Sequence, residues 1–318
     1  MAPRRKKSLK PFAEALTEHQ RRLDALVDRR TLPRMRDLYE EAHDAVARRV
    51  SKLVRAGKGD RFTAHQQRIL LAQLRVGHRE LLSRLAGDLS DASRDAATDS
   101  IRGLARNIAQ LERHFRGAET VVPIDQAWKL RELVGKRSAA LDTMHQRSMA
   151  HWGTRLFAEV HQATSLAAAT GATTEEAIAM IPAVAAGEWW QGARIVRTEL
   201  AWASNLAQVD GIEESARELD DMMKRWSEHV DDETGEPLDD RVGADSLALH
   251  GQIAEPGGLF GFPAVAPGLT PAEIARYQER APWMAPPDRP NDRAAVQPWR
   301  PGWGIPGWRL VGGEKVYL

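Results

Sequence analysis

The segment Met35–Leu53, with the sequence MRDLYEEAHDAVARRVSKL, indicates the fold class of this chain. Its apolar residues recur three or four positions apart, which places them on one face of an α-helix. Thr31 is a suitable N-cap, Pro33 suits the first turn, and Gly57 and Gly59 favour the end of the helix. The segment therefore predicts a long amphipathic helix whose buried stripe is Met35, Leu38, Ala42, Val46, Val50 and Leu53.

Helical periodicity continues far along the chain in both directions from this segment. Thr63 and Gln66 form a capping-box pattern for a second helix, which we expect to end at Gly87. The run Thr173–Glu176 marks another helix start, and we expect that short helix to end near Pro182. Further helices are predicted over about 101–115, over 124–170 as one or two helices, and over 187–225.

The composition changes at about Asp231, where helix formers give way to Gly, Pro and short apolar runs. A hairpin-like turn is predicted at Gly312-Gly313. Short strands or extended segments are predicted at Val296–Trp299, Trp308–Val311 and Lys315–Leu318. The predicted fold class is therefore mainly α, with long N-terminal helices and a small irregular α+β C-terminal module.

The sequence predicts a domain organisation of three segments. They are a basic N-terminal arm over 1–30, a helical domain over 31–186, and a C-terminal module over 187–318. The module is expected to begin with the helix over 187–225 and to continue as loops and short strands. Eight of the ten Trp residues lie between Trp189 and Trp308, so they serve either protein docking or a small core that needs bulky fillers.

The charges are balanced in total but uneven along the chain. The net charge is +1, yet residues 1–60 hold 16 Lys and Arg against 9 Asp and Glu, and residues 211–245 hold 4 against 13. The acidic stretch either meets a partner or forms solvated faces. A basic cluster at the N-terminus is a candidate for contact with DNA phosphates without reading of base sequence, and it comprises Arg4, Arg5, Lys6, Lys7 and Lys10.

Several classes of chemistry are disfavoured by the sequence. The absence of cysteine excludes disulfides, thiol catalysis and Cys-ligated zinc. The chain has no phosphate-loop, dinucleotide-binding, nucleophile-elbow or HExxH motif, no apolar run of about 20 residues, and no apolar signal core after its basic start. We therefore expect synthesis in a cytoplasm, no cofactor and no metal.

Two weaker features leave a metal site as the less favoured alternative. His145, His151 and His161 are spaced by six and ten residues, which does not align them on one helix face. The run 231–240, DDETGEPLDD, lacks the spacing of a calcium-binding loop, so an exposed acidic turn is favoured over a hard-cation site.

An ordered set of short motifs stands in the last third of the chain. It begins with Arg197-Thr198-Glu199 on a predicted helix, and Asn205 follows six residues after the glutamate. Lys224-Arg225-Trp226 comes next. Asp239-Asp240-Arg241 then precedes Gly251, ten residues after the arginine. The last motif is Pro286-Pro287-Asp288-Arg289-Pro290-Asn291-Asp292-Arg293.

This order resembles the C-terminal region of the phage head morphogenesis family, the Mu F-like minor head proteins. That family has an Arg-Thr-Glu helix with a later Asn, then a Trp, a D-x-R-T-C-x-x-C loop ending in Gly, and an H-P-N-C-R-C segment. The resemblance covers roughly 190–300, about a third of the chain. Each motif alone is weak, and the specificity lies in their order and spacing.

This chain departs from the family pattern at the metal-binding positions. Gly243 and Ser246 stand where the family often has its two loop cysteines. Arg289, Asp292 and Ala294 stand where the later His and two Cys fall. The resemblance therefore implies loops closed by Arg–carboxylate pairs, unless these charges are merely exposed. The candidate pairs join Arg241, Arg289 or Arg293 to Asp239, Asp240 or Asp292.

The resemblance implies a structural minor head protein inside the virion, near the portal. Its implied partners are the portal protein and the major capsid protein or other head proteins, in multiple copies per particle, with packaged double-stranded DNA as a further candidate. The structural motif then comprises Arg197, Glu199, Asn205, Trp226, Asp239, Arg241, Gly251, Arg289, Pro290, Asn291, Asp292 and Arg293. No catalytic residue is expected.

Two functions of other classes remain open at this point. One is a nucleic-acid-binding accessory protein that is not incorporated in the particle. The other is an enzyme that uses Asp239 and Asp240 with a divalent metal.

Overall fold

The computed structural model describes residues 8–55, 61–120, 122, 124, 126–230, 234, 236–238, 242–287 and 294–318, with the backbone alone at residues 49, 50 and 53–55. The fold is mainly α with a small C-terminal part that contains short strands, as predicted. The helices are α1 Lys10–Asp24, α2 Leu32–Arg55, α3 Ala64–Leu111, α4 Ala127–Lys136, α5 Ser138–Thr170, α6 Thr174–Ser215, α7 Ala244–Leu249 and α8 Pro271–Arg280. The strands are β1 Met223–Ser227, β2 Ile253–Ala254, β3 Ala295–Trp299, β4 Trp308–Val311 and β5 Glu314–Tyr317.

The chain forms two compact units, each assembled from separated segments. Unit 1 comprises the chain up to Leu26 together with Ser93–Ser138 and Arg197–Leu318. Unit 2 comprises Val27–Ala92 and Ala139–Val196. The segment boundaries fall inside helices, including α3 and α6. The predicted division into 1–30, 31–186 and 187–318 follows continuous stretches of sequence, and it stays a prediction.

Two of the predicted helix ends are wrong. Gly87 lies inside α3, because Leu85 and Leu89 on either side are fully buried and this packing outweighs the roughly 1 kcal/mol cost of a helical glycine. Pro182 lies inside α6, where Ile181 and Ala185 are buried in the same way. Apolar packing on both sides therefore carries each helix through a residue that usually ends one.

The start of α2 also differs from the prediction. Thr31 does not cap the helix from outside but closes a π-helical turn, Ala25–Thr31, that leads directly from α1 into α2. Thr31 is buried, which removes it from the exposed position that an N-cap usually holds. By contrast, the capping box at Thr63 and Gln66 is confirmed, with the Thr63 N–H donating to Gln66 Oε1 at 2.7 Å.

The core of unit 2 is built around aromatic side chains. The Tyr39 ring stacks on the Trp152 ring with centroids 5.1 Å apart, and the Trp189 ring contacts both of them at an angle. A Cβ at Gly192 would approach the Trp152 ring to 2.7 Å, so the absence of a side chain admits the indole. Beside this cluster, His43 Nε2 and His78 Nε2 lie 3.2 Å apart in the core.

The C-terminal part of unit 1 contains an antiparallel sheet in the order β2-β1-β3, and a separate hairpin of β4 and β5. The predicted helix over 187–225 is wrong at its end, because α6 stops at Ser215 and Lys224-Arg225-Trp226 lies on β1. The hairpin around Gly312 and Gly313 is confirmed, and both glycines have positive φ. Two consecutive residues with positive φ suit a tight hairpin turn.

None of the helices in the described part of the chain is both long enough and apolar enough to cross a membrane.

Candidate functional site

Asn205 lies on α6, and its side chain holds the backbone of β3. Its Nδ2 donates to the carbonyl oxygen of Ala294 at 3.1 Å, and its Oδ1 accepts from the Val296 N–H at 2.9 Å. Residues two apart in a strand point their backbone groups to the same edge. The edge of β3 that faces away from β1 therefore forms its hydrogen bonds with the Asn205 amide, as it would with a peptide group of a further strand. Asn205 itself is 1% exposed.

Trp226 fills the centre of the same sheet. It lies on β1 and is fully buried, and its ring meets the Phe260 ring edge to face with centroids 5.3 Å apart. Its Nε1 donates to Glu228 Oε1 at 2.7 Å. Glu228 follows β1 directly and is itself buried, so its carboxylate meets the indole inside the core.

Gly251 joins the sheet to the hairpin. Its N–H donates to the Trp226 carbonyl at 2.9 Å, and its own carbonyl accepts from the Trp308 N–H at 3.0 Å. Its φ is +82°, and an added Cβ would lie 3.4 Å from the Trp308 indole. Glycine is therefore favoured here by backbone conformation and by the close approach of Trp308.

Arg197 and Glu199, the other described motif residues, lie on α6 upstream of Asn205. Glu199 is buried and Arg197 is half-buried. At two of the positions where the family has cysteine, the small residues Ser246 and Ala294 are each 1% exposed. The structure thus brings Asn205, Trp226 and Gly251 together at one sheet.

Part of the predicted motif lies outside the described residues, so charge-pair closure of the two loops stays a prediction. The residues concerned are Asp239, Asp240, Arg241, Arg289, Pro290, Asn291, Asp292 and Arg293, and in the basic cluster Arg4, Arg5, Lys6 and Lys7. Lys10, the fifth member of the basic cluster, is exposed on α1, with its Nζ 3.7 Å from Glu14 Oε1.

Lys224 and Arg225 are two site residues that the helix prediction misplaced. Lys224 is fully buried, its Nζ donates to the Met284 carbonyl at 2.9 Å, and burial lowers its pKa to about 8. Arg225 Nη1 donates to Ser227 Oγ at 2.7 Å, and Arg225 Nε donates to the Pro306 carbonyl at 3.1 Å. Two adjacent buried cations on a short strand give no periodic signal in the sequence.

A cleft of about 440 Å³ opens beside Arg225. His250 also lines it, with Nε2 3.1 Å from Arg225 Nη2, and its Nδ1 accepts from the Glu228 N–H at 3.2 Å. Lys315 Nζ lies 4.4 Å from the centroid of the Trp308 ring, and burial lowers the pKa of this amine. The other lining residues are Ala244, Leu247, Ala248, Gly251, Pro267, Pro306, Gly307 and Tyr317. The lining is therefore apolar and aromatic with three basic groups.

Several acidic residues near the start of the acidic stretch are held by internal ion pairs. Asp210 is 1% exposed, and its carboxylate receives two hydrogen bonds from Arg137 at 2.7 and 2.9 Å. Lys136 Nζ lies 2.9 Å from Asp210 Oδ1 and 3.1 Å from Glu213 Oε2. Lys129 Nζ lies 2.8 Å from Glu214 Oε1. Glu213 and Glu214 thus help to join α4 to α6.

A buried ion pair elsewhere in unit 1 carried no signal in the sequence. Arg300 Nη1 lies 2.7 Å from Glu112 Oε1, which also accepts from Trp303 Nε1 at 2.9 Å. The partners are nearly 190 residues apart in the chain. Four of the eight late Trp residues are buried and act as core fillers, namely Trp226, Trp299, Trp303 and Trp308.

The three histidines of the central helical region have different environments on α5. His145 is fully buried with Nδ1 3.1 Å from Ser90 Oγ, whereas His151 and His161 are exposed. Within the described residues, no group of three or more His, Asp or Glu side chains is arranged to hold a metal ion.

No family model, curated protein or solved structure matches this chain.

Proposed function

We propose that this chain is a structural minor head protein of a tailed phage or a phage-like particle. In this role it associates with the portal protein and with the major capsid protein or other head proteins during head assembly. It then resides in several copies inside the virion, near the portal. The motif resemblance is the source of the proposal.

The observation that carries it is the convergence of Asn205, Trp226 and Gly251 on one small sheet. These residues are separated by up to 46 positions in the chain. Asn205 satisfies the edge of β3, Trp226 fills the core, and Gly251 permits the approach of Trp308. Each of the three supports the architecture of the module, which is what an assembly module requires of its motif residues.

The positions of the family's cysteines support the same proposal. Ser246 and Ala294 are small and buried, and the Ala294 carbonyl accepts from Asn205. On this proposal, packing and hydrogen bonding take the place of metal ligation at these two positions. The charge pairs expected from Asp239, Arg241 and Arg289 would complete this replacement.

The test is the presence of the chain in assembled particles. Particles are purified from cells that carry this gene with its neighbours, and the ratio of this chain to the portal protein is measured by quantitative mass spectrometry. The expected result is a fixed ratio in full heads and a loss of infectious particles when the gene is deleted. Particles that lack the chain, together with normal infectivity after deletion, would refute the proposal.

A second experiment distinguishes a head protein from an accessory nucleic-acid-binding protein that is not incorporated in the particle. Arg4, Arg5, Lys6 and Lys7 are replaced together by Ser, with Arg29→Ser and Arg30→Ser as a control at basic residues farther along the chain. A head protein whose arm contacts packaged DNA keeps its place in the particle when the cluster is replaced. Salt-sensitive DNA binding by the free chain without any particle association would favour the accessory function.

A further inference from the structure

The cleft beside β5 combines positive charge with an apolar lining. Its volume of about 440 Å³ falls within the roughly 300–1,000 Å³ of ligand pockets. Arg225, His250 and Lys315 contribute basic groups, and none of the described residues that line the cleft is acidic. Leu247 and Trp308 contribute apolar surface. A ligand that fits this lining has an anionic group adjacent to an apolar group.

Lys315 is the basic group best placed to meet such an anion. Within the described part of the chain, its amine lies over the Trp308 ring, and no carboxylate pairs with it. The side chain is half-buried, so a carboxylate beside it would form an ion pair partly shielded from water. An ion pair of that kind is stronger than one in full solvent.

The backbone of β5 supplies a second element of recognition. The register pairs Val311 with Glu314 across the two-residue turn and Arg309 with Val316 further along. In an antiparallel hairpin with such a turn these are the hydrogen-bonded pairs, so the backbone groups of Lys315 and Tyr317 point away from β4. Among the described strands β5 pairs with β4 alone, which leaves this edge open to an added strand.

The two elements coincide at the same residues. Lys315 and Tyr317 line the cleft with their side chains and present their backbone groups at the open edge. A strand added there places alternate side chains on the cleft face. Opposite Lys315 an acidic side chain is favoured. Opposite Tyr317, which is 74% exposed, an apolar side chain would cover the ring.

We propose that this cleft and the edge of β5 together bind an extended peptide with an apolar residue and an acidic residue two positions apart. The peptide adds a strand to β5, with its carboxylate at Lys315 and its apolar side chain against Tyr317 and Leu247. This peptide site is independent of the proposed head function, because it depends only on the local lining and the strand edge.

The test uses the full chain and a fluorescein-labelled pentapeptide, Thr-Leu-Thr-Glu-Thr with blocked ends, titrated by fluorescence anisotropy. Two control peptides are used. In the first, Gln replaces Glu. In the second, the third and fourth residues are exchanged, which places the Leu and Glu side chains on opposite faces of the strand. The Glu peptide is expected to bind about tenfold more tightly than either control, a difference of about 1.4 kcal/mol.

Lysine variants locate the site. Lys315→Met is expected to remove the preference for Glu over Gln, and Lys315→Arg is expected to keep it. Lys10→Met makes the same charge change at an exposed position on α1 and is expected to leave the preference intact. Thermal unfolding checks that all three variants remain folded, and the comparison uses only those that do.

Three results would overturn the proposal. The first is equal binding of the Glu and Gln peptides, and the second is a preference that survives Lys315→Met. The third is the absence of binding by any of the peptides at millimolar protein concentration.

Discussion

Replacing Asn205 by Ala removes the side chain that satisfies the edge of β3. The buried Ala294 carbonyl and the buried Val296 N–H would each lose their hydrogen bond to this side chain. Loss of a hydrogen bond to a buried backbone group costs about 1–3 kcal/mol, so the two lost bonds together predict a destabilisation of about 3 kcal/mol. The higher helix propensity of Ala offsets about 0.5 kcal/mol of this at most.

Differential scanning calorimetry is the appropriate assay, because a chain with two compact units need not unfold in one transition. A loss of about 3 kcal/mol lowers a transition temperature by roughly 6–12 °C for a unit of 150–250 residues. Asn107→Ala is the matched control, since it makes the same propensity change on α3 at a half-buried position. Its transition temperature is expected to change by less than about 2 °C, because surface and half-exposed substitutions without lost bonds typically change stability by about 0.5 kcal/mol.

Equal effects of the two substitutions would refute the structural role assigned to Asn205. So would a shift of under about 2 °C for Asn205→Ala, since that corresponds to less than 1 kcal/mol and hence to less than the loss of one such hydrogen bond. Circular dichroism at temperatures below the unfolding transition should show that helix content is retained in both variants.

Three further predictions concern Gly251, His78 and Asp210. Gly251→Ala should destabilise the protein by about 1–3 kcal/mol because of its positive φ, whereas Gly87→Ala, which meets open space inside α3, should stabilise it by about 0.5–1 kcal/mol, both measured by thermal unfolding. Burial lowers the pKa of His78 to about 4, so as the pH falls this histidine is protonated in the unfolded chain before it is protonated in the folded one. The free energy of unfolding should therefore decrease by up to about 3 kcal/mol as the pH drops from about 6.5 towards 4. Unfolding free energies at pH 7 and 4.5 check this, and His78→Gln should make that slope shallower; an unchanged slope would contradict it. Asp210→Ala leaves the Arg137 guanidinium without its carboxylate and should cost about 3–5 kcal/mol in chemical denaturation, more than the exposed-pair substitution Glu14→Ala, which should cost under about 1 kcal/mol.

The helix stripes could be predicted because helical periodicity is a local property. Met35 and Val46 of the first stripe are buried, as the spacing required. The capping box at Thr63 and the glycine turn of the last hairpin were predictable for the same reason. Their hydrogen bonds and backbone angles involve neighbours in the chain.

The continuation of α3 through Gly87 and of α6 through Pro182 was not predictable from local propensity. Each of these residues costs a helix about 1 to 3 kcal/mol, and buried neighbours one turn or less away recover it. Ile181 is fully buried, and that burial depends on segments distant in sequence. The strand at Lys224-Arg225-Trp226 was also missed, because adjacent cations in a sequence indicate an exposed segment, whereas both are buried here.

The candidate site was likewise only partly predictable from the sequence. The order of Asn205, Trp226 and Gly251 was visible in the sequence, and so was the preference for glycine at a turn. Their convergence on one sheet, and the cleft between β5 and α7, depend on strand pairing between distant segments.

By itself the sequence determined the mainly α class, the uneven charge, the lack of cysteine chemistry and the position of the last hairpin, since each follows from composition or from neighbours a few residues apart. Only the tertiary structure decided which residues share a unit, because the segments of each unit are joined through packing and not through adjacency. It also decided that Asn205 would hold β3, that Glu112 would meet Arg300, and that Lys315 would border a cleft. Such contacts arise when buried polar groups must find partners wherever the folded backbone brings them.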